Sequence, residues 1–191
     1  HVSGTVAGAG LMDQRYSGMA PRATIVSQYL SDIITSVPTY VNDYNMIATN
    51  NSYTNAEAGC EGTGTYDITS NYVDMQMGEY NQLLHVFSAG NDGSNTCSPY
   101  PLSFATIKSG YQVAKNVLTV GAIDTLYNPA VFTSRGPVND GRLKPEIMAS
   151  GLHVYSTAPP FYYERSSGTS MSGPMVAGVA VVLNEQYRKS N

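Results

Sequence analysis

The chain has 191 residues, with 18 Gly, 10 Pro, 15 Tyr and no Trp, and its 10 basic and 14 acidic residues give a formal net charge of −4. Charged residues make up 13%, about half the usual share of roughly 25%. So few Lys and Arg on an acidic chain argue against a nucleic-acid partner, and 42% apolar residues exclude a disordered tail. No apolar run approaches the roughly 20 residues that span a bilayer, so no membrane partner is expected.

The first segment, 2–10, is almost wholly small or apolar and reads as a buried helix. Residues 23–27, 46–49, 83–88 and 117–120 are apolar on successive positions. That pattern marks strands buried on both faces, as in a parallel sheet. Between the second and third of these lies a helical pattern over 72–84, with Val73, Met77, Tyr80 and Leu84 on one face. Residues 171–183 again read as a helix buried all round, with Pro174 in its first turn, where a missing N–H costs little. Parallel strands with two central helices predict a layered α/β fold. No linker is apparent, so 1–191 reads as one domain, in whole or in part.

Cys60 and Cys97 both lie in Gly/Ser/Asn-rich loops, which fits one disulfide of an exported protein. Closing a loop of that size stabilises by about 3–4 kcal/mol. No Cys/His grouping has zinc spacing. Residue 1 is His, without the leader of a secreted precursor, so the N-terminus reads as truncated or processed.

Three segments carry chemistry. In Gly168-Thr169-Ser170-Met171-Ser172-Gly173-Pro174 a Ser opens a buried helix, where backbone N–H groups and a partial positive charge favour a developing oxyanion. A plain helix N-cap explains a Ser there equally well. In Ser88-Ala89-Gly90-Asn91-Asp92-Gly93 a buried strand ends in small residues before an Asn, which is an amide donor or simply a turn residue. The third, His1-Val2-Ser3-Gly4-Thr5-Val6-Ala7-Gly8, by itself says only that a helix of small residues is buried. The Gly8-Ala9-Gly10 that ends it follows a helix and lacks a third Gly, so it is weak as a dinucleotide site.

Taken in order, these motifs resemble the subtilisin-like serine proteases, the subtilase family. The likeness also runs through Gly18-Met19-Ala20-Pro21, Asn50-Asn51-Ser52, Val120-Gly121-Ala122, Thr133-Ser134-Arg135-Gly136-Pro137 and Lys144-Pro145-Glu146-Ile147. It covers nearly the whole chain.

The resemblance implies a three-layer subtilisin-like fold with a mainly parallel central sheet, incomplete at both ends. It implies a serine endopeptidase with Ser170 as nucleophile and Asn91 as oxyanion donor, paired with the Ser170 backbone N–H. Ser52, Tyr53 and Thr54 and Ser88, Ala89 and Gly90 map to the walls of the primary specificity pocket. Peptide substrate adds there as an extended strand. Thr54 stands where the family often has Gly, which narrows the pocket. The uncharged walls favour an apolar or aromatic P1 side chain; Glu57 and Glu61 nearby offer the less favoured basic alternative.

His1 matches the family's second, structural His. The general base is therefore expected three residues before His1 and the triad Asp further upstream, so the chain alone would be inactive. His85 and His153 match no catalytic position. The alternative implied by the absent His and Asp is a non-catalytic peptide-binding or structural module. No cofactor is implied; for the family's calcium site, the loop from 10 to 18 offers only the carboxylate of Asp13.

Overall fold

The computed structural model describes residues 1–54 and 59–191. A four-stranded parallel sheet forms its centre, in the order β1 (Ala48–Asn51), β2 (Leu84–Ser88), β3 (Leu118–Ile123), β4 (Ile147–Ser150). The strands sit in register, with Thr49 opposite His85, Phe87 opposite Thr119 and Ala122 opposite Ala149. A separate antiparallel hairpin follows, β5 (Val154–Ala158) with β6 (Tyr162–Ser166).

Helices cover both faces of the sheet. On one face α2 (Leu30–Thr35) and α4 (Ile68–Glu79) bring Ile34 and Val73 against Phe87, Ala114 and Val117. On the other lies α5 (Thr169–Ser190), where Ala177 and Val176 meet Val86 and Val120. The alternation of Val86 and Phe87 along β2 thus sends successive side chains into two different apolar layers. α1 (Val2–Ala7) packs along α5. It is fastened to the hairpin by His1, whose Nε2 lies 3.1 Å from the Val154 carbonyl and whose own carbonyl accepts from Ser156 Oγ at 2.9 Å.

Local chemistry explains the helix ends. Asp67 accepts from the Thr69 and Ser70 N–H groups, both at 2.9 Å, while the Asp67 N–H donates to Ser70 Oγ at 3.3 Å. This capping box starts α4 four residues earlier than the apolar periodicity over 72–84 predicts. The helix also stops earlier, at Glu79, because Leu84 belongs to β2. Of the predicted face, Val73 is fully buried, Met77 packs beside it, and Tyr80 joins Val37, Val41 and Leu83 instead. α3 (Val37–Tyr44) has Pro38 in its first turn and ends on Asn45 in the left-handed conformation.

Three further expectations change. Residues 23–27 form no strand: no described strand pairs with them, and Ile25 and Val26 are 43% and 37% exposed. α5 begins at Thr169, so Pro174 lies in its second turn rather than its first. The same helix is not buried throughout; from Val179 onward it exposes Val182, Leu183 and Tyr187.

At the amino ends of the last two strands of the sheet, Lys144 and Glu146 lock β4 to β3. The buried Lys144 Nζ is 2.5 Å from Glu146 Oε1 and 3.1 Å from Thr119 Oγ1, and Glu146 Oε2 accepts from the Thr119 N–H at 2.8 Å. Burial pushes the Lys144 pKa down, opposed by Glu146. Cys60 and Cys97 form a disulfide with a Cα–Cα distance of 5.4 Å.

Candidate active site

The chain leaves β1 into Ser52, Tyr53 and Thr54, and leaves β2 into Ala89, Gly90, Asn91 and Asp92. Both exits lie at the carboxyl ends of parallel strands, where open α/β sheets commonly hold their ligands. β4 reaches the same end: the Gly151 carbonyl accepts from the Gly168 N–H at 2.8 Å, immediately before α5. Between these segments lies a cleft of about 300 Å³ lined by Ser52, Tyr53, Thr54, Ser88, Gly90, Asn91, Asp92, Thr169 and Ser170.

The structure therefore brings Ser170, Asn91, Ser52, Tyr53, Thr54, Ser88 and Gly90 together. Ala89 is the exception. It is fully buried and packs with Ile107, Val113 and Val138, because strand alternation turns its side chain away from the cleft.

Ser170 is not the N-cap of its helix. That position is Gly168, which makes no side-chain capping bond, and Thr169 and Ser170 are the first two helical residues. Gly168 has φ +149°, a conformation that favours glycine, and a β-carbon there would stand 3.4 Å from Asn91 Nδ2. The cap comes from across the cleft: Asn91 Oδ1 accepts from the Thr169 N–H at 3.0 Å and from Thr169 Oγ1 at 3.1 Å. Thr169 Oγ1 in turn accepts from the Gly90 N–H at 3.2 Å. Spending Oδ1 on these bonds fixes the amide's orientation and leaves Nδ2 without a partner among the described residues. The Ser170 N–H, one of the orphan donors of the helix start, likewise keeps no partner among the described residues. Two N–H donors thus belong to residues that line the same cleft, at the positive end of a 22-residue helix.

Ser170 Oγ donates to the Ser52 carbonyl at 3.3 Å. No histidine lines the cleft. His1 is committed to β5, His153 is exposed, and His85 is fully buried beside Thr49 Oγ1 at 2.8 Å. Burial pushes the His85 pKa down to about 4. From His85 a polar chain runs through Thr49 and Asn51, whose Nδ2 donates at 2.7 Å, to the Tyr53 hydroxyl, which donates to Asn51 Oδ1 at 3.1 Å. The Tyr53 ring meets Phe87 and Tyr111 edge-on, and burial raises its pKa.

Three contributors escape the sequence reading. Asp92 puts a carboxylate into the lining, although Asn-Asp-Gly reads simply as a turn. Lys108 is 2% exposed; its Nζ lies 3.6 Å from Asp92 Oδ1 and donates to the Gly59 carbonyl at 2.6 Å. Nothing in the Gly/Ser/Thr context of Lys108 signals burial. Thr169, flanking the nucleophile candidate, proves to hold the Asn91 amide. Glu61 is exposed, and Glu57 lies outside the described residues. The Asp13 carboxylate is engaged by Arg15, with a shortest contact of 2.6 Å, and the loop from 10 to 18 adds no other acid. These residues do not fit a calcium ion.

The Subtilase family profile matches residues 1–191. A thermophilic serine proteinase of Bacillus sp. (strain AK1) is 30% identical, covering all of this chain and 43% of that protein. A C5a peptidase of Streptococcus pyogenes serotype M18 (strain MGAS8232) is 45% identical over 131 residues, 69% of this chain and 11% of that protein. Among solved structures, the patellamide maturation protease PatA superposes with a TM-score of 0.73 at 26% identity, covering all of this chain and 66% of that one. The chain spans less than half the length of the characterised relatives it matches. With a parallel sheet, a helix-borne serine and a facing asparagine in one cleft, and a family match from its first residue to its last, the chain belongs to the subtilase family.

Proposed function

We propose that the protein is a serine endopeptidase in which Ser170 attacks the scissile carbonyl and forms an acyl-enzyme that water cleaves. Asn91 Nδ2 and the Ser170 N–H stabilise the tetrahedral oxyanion. The observation that carries this reading is the bond from Thr169 N–H to Asn91 Oδ1, which aims the other end of the amide into the cleft beside Ser170. The general base is a histidine outside residues 1–191, in the family's His-Gly-Thr-His register ahead of His1. Substrate is a peptide lying along Ser52–Thr54 and Ser88–Gly90. Lys108 compensates Asp92, the one carboxylate of the lining among the described residues, which supports an apolar rather than a basic P1 side chain. A disulfide and a charge-poor composition support export. One peptidase domain, to which 1–191 contribute, accounts for the chain.

The test uses the chain with its natural flanking sequence. A serine-directed organophosphonate should modify Ser170, and peptide hydrolysis should vanish in Ser170→Ala. Unchanged hydrolysis in that variant would sink the reading. Tight peptide binding without modification or turnover would mark a non-catalytic module.

A further inference from the structure

A proline inside a helix removes one hydrogen bond, the one its N–H would donate to the carbonyl four residues earlier. Pro174 lies inside α5, so the carbonyl it deprives is that of Ser170. That carbonyl is not orphaned: Ser52 Oγ donates to it at 3.2 Å, although Ser52 is 118 residues away in sequence. The Ser52 hydroxyl is itself oriented. It accepts from Asn50 Nδ2 at 3.1 Å, so its one proton is directed to Ser170. Space for Asn50 comes from Gly173, where a β-carbon would stand 3.2 Å from Asn50 Oδ1. The return contact, Ser170 Oγ to the Ser52 carbonyl at 3.3 Å, closes a reciprocal pair.

We propose that Ser52 is a positioning residue for the nucleophile: its hydroxyl supplies to the Ser170 carbonyl the hydrogen bond that Pro174 takes from α5, with Asn50 aligning that hydroxyl. This rests on Ser170 being the nucleophile and deepens that reading. The Asn50-Asn51-Ser52 segment thereby takes on a task distinct from forming the pocket wall. It holds the first turn of α5 where the helix itself cannot, and so sets the angle at which the Ser170 hydroxyl and N–H meet substrate. Misplacement of a reacting group by a fraction of an ångström is costly in rate while leaving substrate affinity largely intact.

The test is a double-mutant cycle of Ser52→Ala and Pro174→Ala in the chain with its natural flanks, read as kcat, KM and Tm. Ser52→Ala should lower kcat about ten-fold with KM within about two-fold. In the Pro174→Ala background residue 174 regains an N–H for the Ser170 carbonyl, and the same substitution should cost less than about two-fold. Asn50→Ala should lower kcat in the same direction and by less. An equal cost of Ser52→Ala in both backgrounds, or a change in KM with kcat intact, overturns the proposal. If no variant, including the wild type, turns over peptide, the peptidase reading fails by itself. The hydrogen bond is then judged from Tm in a Ser170→Ala background, which keeps the carbonyl: additive Tm losses would refute it, and rescue by Pro174→Ala would retain it.

Discussion

The two ends of α5 are built on different principles. Over its first turns the helix is buried and held from outside: Asn91 caps Thr169, Ser52 serves the Ser170 carbonyl, and Met171 and Ala177 are closed off from solvent. Over its last turns it holds itself, through the Lys189–Glu185 ion pair and the Asn191 amide donating to the Tyr187 carbonyl, while Val182, Leu183 and Tyr187 lie exposed. Stability in proteins is distributed unevenly, and the groups proposed to react sit at the end that other segments hold in place. A helix start leaves N–H groups free, and here one is used as an anchor while the next, at Ser170, keeps no partner among the described residues.

The sharpest way to break this contrast is at the inner end. In the chain with its natural flanks, Ser170→Ala should cut kcat by about 10⁶-fold, a magnitude borrowed from subtilisin itself, while leaving the thermal midpoint nearly unchanged. A comparable loss of activity from a substitution at Leu183 would erase the distinction.

Next in size, Asn91 separates capping from donation. Asn91→Asp keeps an oxygen for the Thr169 N–H but loses the Nδ2 donor. It should lose about 10²–10³-fold in kcat, again on the subtilisin scale, with little change in Tm. Asn91→Ala should lose both functions and about 1 kcal/mol of stability besides. Equal Tm for the two variants would mean that the cap contributes nothing.

A pH series sharpens the contrast through the sheet on which the inner end rests. His85 stays neutral when folded down to about pH 4. An unfolded histidine takes up a proton near 6.5. Stability is therefore complete above that pH and falls as pH drops toward 4, by up to about 3 kcal/mol. The outer end's Glu185 is held below the usual carboxylate range by Lys189 and is fully exposed, so it adds no comparable slope. Denaturant midpoints at pH 7 and 4.5 for wild type and His85→Gln should show the slope and its disappearance.

The smallest effects compare the two ends directly. Ala177→Leu overpacks the inner half and should cost about 1–3 kcal/mol. Val182→Ser on the outer half should stay within about 0.5 kcal/mol. Calorimetry on the pair reads both, and equal losses would show that the outer half is covered in solution.

Much of this was legible in the sequence where a local pattern and its tertiary role coincide. Residues 83–88 and 117–120 are apolar without alternation because β2 and β3 are covered on both faces. Ser170 and Asn91 stand out because motif order is preserved along the chain. The misses have physical causes. The apolar run at 23–27 looked like a strand, but a strand exists only when another supplies its ladder. The start of α4 lay in the capping pair Asp67 and Ser70 rather than in its apolar face, and Leu84 satisfied a helical spacing while belonging to the next strand. The hairpin β5–β6, with Tyr155, Tyr162 and Tyr163, showed no clean period because its faces differ little in polarity. The Asn91–Thr169 and Ser52–Ser170 contacts join residues that are 78 and 118 positions apart, and no single-segment pattern reveals such a pairing.

The disulfide acquires a second meaning from where its halves lie. Cys60 follows shortly after the Ser52–Thr54 wall, and Cys97 follows shortly after the wall that ends in Asp92. One covalent bond therefore ties the stretch of chain that follows one wall to the stretch that follows the other. The walls cannot drift apart by more than the chain between each wall and its cysteine allows. Thiol reductants would thus free two segments of chain from each other as well as lower stability.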